Sequence, residues 1–305
     1  MAEDYPRTML ELERRFSDES ACRAYLLALQ WPEGFVCPSC QSHQSVEIRR
    51  ELWRCLACRR EVSVIAGTTF QDSKLPLPVW FRARWQVTAQ KNGVSAMGLQ
   101  RVLGLGSYKT AWAVLHKLRR AMVRPGRDRL HGLVEVDEAY WGGEEGDVRG
   151  RQTYEKALIA IAAEADGEVI GRIRLRHIPD TSRATLHGFI ADSIDPGSTV
   201  QTDGLQAYRE LSGYVHDRRV QKHQPVDAAH LLPRAHRVIS LLKRWLLGTH
   251  QGAVGADYLQ DYLDEFTFRF NRRTSASRGK LFYRLTQQAV QVAPTSYDAL
   301  EKHNP

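Results

Sequence analysis

The chain has 305 residues, 43% of them hydrophobic, and a net charge of +8. That length holds two or three domains of ordinary size. No run of about 18 apolar residues occurs, which excludes a membrane-spanning helix of the usual kind. The positive balance points to a polyanionic partner, most simply nucleic acid, with a solvated basic surface as the alternative. The first ten residues, MAEDYPRTML, are acidic at their start and lack the apolar stretch of a signal peptide, so a cytoplasmic protein is expected.

In chain order, residues 1–30 show apolar positions at helical spacing in TMLELERRF and DESACRAYLLAL, with Ser17 or Asp18 able to cap the second helix. Cys22 falls on that helix and reads as a small core residue. Residues 31–66 hold Cys37-Pro-Ser-Cys40 and Cys55-Leu-Ala-Cys58, with 14 residues between the pairs. This is zinc-ligand spacing rather than a disulfide framework. Four thiolates close a tetrahedral Zn²⁺ site with no open position, so the site is expected to be structural. The alternation in SVEIRRELWRC suits a zinc ribbon. Arg49, Arg50, Arg54, Arg59 and Arg60 around the knuckles either contact phosphates or form a solvated face. Residues 66–80 read as a connector, because two prolines and a Gly-Thr-Thr step interrupt regular structure.

Within a helical region over 67–124, a short helix at 95–103 is followed by Gly104-Leu105-Gly106. A second helix, capped by Ser107, comes after it. Its apolar face is Tyr108, Ala111, Trp112, Leu115 and Leu118, and its basic face is Lys109, Lys117, Arg119 and Arg120. This is either a helix-turn-helix with a DNA-binding basic helix or an ordinary helical hairpin.

A turn-rich stretch at 124–128 opens a third region, 125–290, followed by a tail at 291–305. Strands are expected at 133–141, 157–164 and 168–178, with a basic glycine-bearing loop at 142–153 and a hairpin turn at Asp166-Gly167. A helix follows at 181–194, then a strand at 198–208, a short helix, a short strand at HDRRVQ, and helices at 231–245 and 256–271. Three hairpin-linked strands followed by alternation predict a mixed-sheet α/β domain.

The strand at 133–141 carries Asp137 inward, and a buried carboxylate requires a partner or a metal. Asp203 closes another central strand. Two converging carboxylates suit Mg²⁺ or Mn²⁺. His236, on the later helix, offers a third ligand. Lys243 lies two helical turns on and on the same face, where it would bind a phosphate or orient DNA. Each has a structural alternative. Asp203-Gly204 is a common turn, Asp137 a possible paired core carboxylate and His236 a possible interface histidine. His230 competes with His236 as ligand, Glu265 is the nearest later carboxylate, and Glu138 points to the opposite strand face.

The segments DEAYWGG, TDGLQAY, HRVISLLKRWLLGTHQGAV and YLDEFTFRFNRR resemble the motifs of a group of bacterial insertion-sequence transposases. That group joins an N-terminal zinc ribbon and a helix-turn-helix to an RNase H-like, integrase-like DDE core. The resemblance spans almost the whole chain, in the same order. It implies that Asp137 and Asp203 are the first two acidic residues and that the third position falls on His236. Lys243 follows it seven residues later, giving a DDH variant in a group that varies at this position. It further implies Mg²⁺ or Mn²⁺ held by Asp137, Asp203 and His236, cleavage at the element end, and in-line attack of the freed 3′-OH on target DNA. Arg244, Arg269, Arg272 and Arg273 are expected to contact phosphates, and the ribbon and helix-turn-helix to read the inverted repeats. Handling two ends together implies at least a homodimer on double-stranded DNA, in the nucleoid. Two alternatives are a transposase-derived DNA-binding protein without catalysis and an RNase H-like nuclease that hydrolyses without joining.

Overall fold

Two short helices, each capped by its own preceding side chain, open the N-terminal part. α1 (Met9–Arg15) starts at Thr8 and α2 (Glu19–Gln30) at Asp18, whose side-chain oxygens accept the Glu11 and Ala21 amides. The computed structural model describes residues 3–49, 52–124, 126–143, 156–220 and 231–301. By its internal contacts the chain divides into two units, Met1–Arg124 with Thr274–Pro305, and Pro125–Arg273.

In the first unit, β1 (Ser45–Arg49), β2 (Leu52–Cys55) and β3 (Glu61–Ser63) form a small antiparallel sheet. α3 (Leu77–Ala89) begins inside the expected connector. Its prolines start the helix rather than break it: Pro76 is the N-cap and Pro78 lies in the first turn, where a missing N–H leaves no bond unmade. α4 (Ala96–Leu103) is capped by Ser95 and stops at Gly104, whose φ of +62° suits a residue without a Cβ. α5 (Tyr108–Arg120) is capped by Ser107, which accepts the Thr110 amide. The sequence had placed Arg119 on the basic face of this helix and Tyr108 on the apolar one. In the fold Tyr108 is exposed, while Arg119 is buried with Nη1 3.2 Å from His116 Nε2.

The second unit is built on a five-stranded mixed sheet of β4 (Leu133–Trp141), β5 (Ala157–Asp166), β6 (Val169–Ile178), β7 (Thr199–Thr202) and β8 (Val215–Arg218). The spatial order is β6-β5-β4-β7-β8, with β4, β5 and β6 antiparallel and β7 and β8 parallel to β4. This is the mixed sheet expected of an RNase H-like core. The hairpin between β5 and β6 turns at Gly167, φ +59°, as Asp166-Gly167 predicts. β7 is shorter than the expected strand, because the Asp203 carboxylate accepts the Leu205 amide at 2.9 Å and turns the chain. α6 (Arg183–Ser193) covers one sheet face, packing Leu186, Phe189 and Ile190 on Val134, Val136, Ala160 and Ala162. α7 (Pro233–His250) and α8 (Leu259–Phe270) cover the other, on Ala139, Trp141, Ile159, Ile161, Ile173 and Leu175. α8 also seals the β6 edge. Asn271 accepts the Ile173 amide at 2.7 Å and donates to its carbonyl at 3.1 Å, and Gln260 accepts the His177 amide at 2.8 Å. Edge groups that would otherwise template association are thereby occupied.

The expected core of 125–290 is too long. α9 (Arg278–Ala289) belongs to the first unit, because Phe282 joins an aromatic cluster with Phe16, Phe81 and Trp85 there. At its centre Arg84 is fully buried, its guanidinium 4.0 Å from the Phe81 ring centroid and 4.8 Å from that of Phe70. Burial pushes Arg84 down to about 9. α10 (Tyr297–Glu301) forms within the expected tail.

Candidate metal centres and active site

The four knuckle cysteines come together as their spacing predicts. Cys37 and Cys58 Sγ lie 3.6 Å apart, Cys40 and Cys55 Sγ 3.5 Å, and all four sulfurs fall within 4.8 Å of one another. A tetrahedron of Zn–S bonds of about 2.3 Å has edges of about 3.8 Å, so the set fits Zn²⁺. The Cys58 and Ala57 amides and the neighbouring thiols hold Cys55 down at about 6 despite its burial. Trp31, Phe35 and Trp53 pack edge-to-face around the knuckles and give the small ribbon an apolar base. Cys22 is apart from this cluster, buried in α2, and burial pushes its thiol up to about 12.

In the second unit β4 supplies a run of functional positions because both of its faces are covered. Val134 and Val136 face α6, and Ala139 and Trp141 face α7 and α8. By strand alternation Glu135 and Asp137 share the α7 side. The strand therefore sends two acidic residues inward where one was expected. Asp137 Oδ1 accepts the Glu138 amide at 2.9 Å, and Oδ2 lies 3.2 Å from His236 Nε2. The Asp137 hydrogen bond raises the His236 imidazole above its ordinary value against the opposing effect of burial, with the charges of Asp137, Glu135 and Asp203 adding. Asp203 stands just past β7, and its charge also reaches Tyr208. Among the described residues, only the cysteine cluster gathers three or more such ligands so closely. Asp203 lies within electrostatic reach of His236.

Glu138 faces the other way, as strand geometry predicts, and its Oε2 accepts the Tyr208 hydroxyl at 2.8 Å. Glu265 is fully buried on α8, 3.6 Å from Arg269 Nη1, so it is set as an internal ion pair. His230 and the greater part of the basic loop at 142–153 lie outside the described residues, as does Arg50.

The expected phosphate contacts divide. Lys243 and Arg244 are exposed on α7. Lys109, exposed, and Lys117, half-buried, border a cavity of about 310 Å³ together with Lys74, Trp80 and Tyr297. Arg120 is half-buried at the end of α5. Arg119, buried beside His116, and Arg269, paired with Glu265, are instead engaged internally. Arg272 donates to the Phe268 carbonyl at 3.1 Å and stacks 4.0 Å from its ring centroid. Arg273 donates to the carbonyls of Phe270, Gly171 and Ile170, tying the end of α8 to β6.

Comparison with known families agrees with this layout. Residues 129–271 match the ISXO2-like transposase domain, and residues 17–61 match the transposase zinc-ribbon domain. The chain therefore has regions similar to both the catalytic and the zinc-ribbon domains of insertion-sequence transposases. The region matching the transposase domain contains the whole mixed sheet with α6, α7 and α8, and therefore Asp137, Asp203 and His236. The zinc-ribbon match reaches from the start of α2 past the fourth cysteine of the metal cluster. A search of the curated proteins gives no match. Among the described residues, no helix is long and apolar enough to cross a membrane.

Sequence reasoning did not single out Glu135, whose carboxylate accepts the Arg234 and Ala235 amides at 2.7 and 2.9 Å. Its signal was present: a second acidic residue two positions before Asp137, hence on the same strand face.

Proposed function

We propose that the chain is a transposase that cuts DNA at the ends of its element and joins the freed end to target DNA, with Asp137, Asp203 and His236 as the site of reaction. The observation that carries the reading is the 3.2 Å approach of His236 Nε2 to Asp137 Oδ2, with Asp203 close enough to act electrostatically on the same imidazole. Carboxylate oxygens and an imidazole nitrogen form a donor set suited to Mn²⁺ or Mg²⁺. A bound divalent ion would supply activation of the attacking oxygen and stabilisation of charge on the leaving oxygen. Asp137 and Asp203 contribute the negative charge that holds the ion. His236 completes the set and is itself oriented by Asp137. Lys243, exposed two turns along α7, is suited to neutralise a backbone phosphate.

Recognition of the ends falls to the first unit. The zinc cluster is structural, since its four thiolates leave no open position. The α4–α5 pair has the helix-turn-helix outline, and Lys109 with Lys117 supplies ammonium groups at one surface. Two ends must be processed together, so the working form is at least a dimer on DNA, in the cytoplasm at the nucleoid.

The test is strand transfer on a labelled end carrying the element's own repeat, with Mg²⁺ and then Mn²⁺. Wild type should join ends, and Asp137→Ala and His236→Ala should not. Binding without cleavage in either metal would make the chain a DNA-binding derivative. Cleavage without joining would make it a nuclease.

A further inference from the structure

The N-terminus of α7 has no cap of its own. Its N-cap residue is Leu232, which offers no side-chain bond, and its first turn contains no acidic residue. Pro233, at the first helical position, has no N–H to satisfy. The next two amides are both taken by a residue 99 and 100 positions earlier in the chain. Glu135 Oε2 accepts Arg234 N at 2.7 Å and Ala235 N at 2.9 Å. The next amide, His236 N, makes the first ordinary helical bond, to Leu232 O at 3.0 Å. Glu135 Oε1 meets the Arg234 guanidinium at 3.0 Å, and that guanidinium also donates to the Gly167 carbonyl at 2.9 Å. Glu135 is 1% exposed. A buried carboxylate is tolerated only when its oxygens are engaged, and here both oxygens are engaged at the start of one helix.

The geometry points to Glu135 as the residue that positions His236 against Asp137, by clamping the first turn of α7 onto β4. This inference rests on the reading of Asp137 and His236 as metal ligands. It follows from a match of spacings. Glu135 and Asp137 are neighbours on one strand face, and Ala235 and His236 are neighbours on the helix. When the first acidic residue holds the Ala235 amide, the next residue on the helix falls beside the second. The helix dipole favours the carboxylate at this end, so the clamp needs no further group. Glu135 acts only through α7, and is a positioning residue.

The probe is Mn²⁺ alone, added to the full chain and read by electron spin-echo spectroscopy, which detects an imidazole nitrogen bound to the ion. Thermal unfolding is followed alongside. Wild type should show nitrogen modulation that His236→Ala removes. Glu135→Gln, which keeps the size but places an amide NH₂ against the guanidinium or the helix amides, should still bind Mn²⁺ and lose the modulation. Glu135→Asp, one methylene shorter, should lose it as well. Arg234→Gln, which keeps the two amide bonds to Glu135, should retain it. If Glu135→Gln fails to fold, the Glu135→Gln/Arg234→Gln double variant removes the unpaired cation, and the same loss is expected. Nitrogen modulation of wild-type depth in a folded Glu135→Gln chain overturns the inference, as does its loss in Arg234→Gln. Wild type that binds Mn²⁺ without nitrogen modulation, or does not bind it, overturns the ligand reading itself and this inference with it.

Discussion

Glu265 is held by Arg269 at 3.6 Å inside α8, whereas His236 faces Asp137 at 3.2 Å. These two candidates for the third metal ligand, both within the described residues, are thus separated by their partners. Glu265→Gln is expected to leave Mn²⁺ affinity unchanged and to lower stability by about 2 kcal/mol, because it disturbs a buried ion pair. His236→Ala is expected to weaken Mn²⁺ binding at least about tenfold with little effect on unfolding. Isothermal titration with Mn²⁺ beside thermal melts checks both. The reverse pattern would move the third ligand to α8.

The sequence disclosed those parts of the molecule whose signals are local. Cysteine spacing announced the ribbon, hydrophobic alternation the strands, and Ser107 and Asp18 the helix starts they cap. Asp137 was conspicuous as a charge in an apolar strand. Glu135 was not, because its function depends on amides 99 and 100 residues away. Arg119 misled for a related reason. Helical spacing tells which residues share a face, but which face is covered depends on neighbouring elements, and here burial takes in His116 and Arg119 together. The end of the second unit was misplaced because the affinity of α9 for the first unit lies in Phe282 meeting Phe16 and Phe81, contacts between residues remote in sequence.

Removal of zinc should be a local event with a defined readout. Two of the four cysteines, Cys37 and Cys55, are buried within the ribbon's small apolar cluster, and a cluster of that size is too small to be stable without a metal staple. Cys55→Ser, or treatment with a strong chelator, should reduce bound zinc from one ion per chain to none. The near-ultraviolet circular dichroism from Trp31 and Trp53 should collapse with it. Retention of that signal in zinc-free protein would show that the ribbon folds without the metal.

Lys109 and Arg119 should separate DNA affinity from stability. Lys109 is exposed beside the cavity that Lys74 and Lys117 also border, so Lys109→Ala should weaken DNA binding and reduce the salt dependence of the binding constant by about one unit of slope. Arg119 is buried against His116. Arg119→Ala should instead cost about 2 kcal/mol of stability, with the salt slope unchanged. Fluorescence anisotropy across a salt series, with a melt for each variant, measures both. A reduced slope for Arg119→Ala would return that residue to the DNA surface.

Glu164 gives the second unit a defined response to acid. It sits at the end of β5 and accepts the Arg172 guanidinium at 2.7 and 2.9 Å, the His131 amide at 3.0 Å and the Arg172 amide at 3.2 Å. Burial acts to raise its carboxyl, but these donors prevail and hold it at about 2, below its ordinary 4.5. A carboxyl depressed in the folded chain binds fewer protons there than in the unfolded chain. Its stabilising contribution is therefore complete above about pH 4.5 and is lost as the pH falls toward about 2. Glu164→Gln keeps the shape and removes the charge, so at pH 7 it should destabilise by about 2 kcal/mol, a fall of about 4–8 °C in Tm. The gap between wild type and variant should narrow as the pH is lowered from 4.5 and close near 2. Melting curves for the two proteins between pH 7 and pH 2 test this. A gap that stayed constant across that range would mean that the Arg172 bonds contribute through shape alone and not through the charge on Glu164.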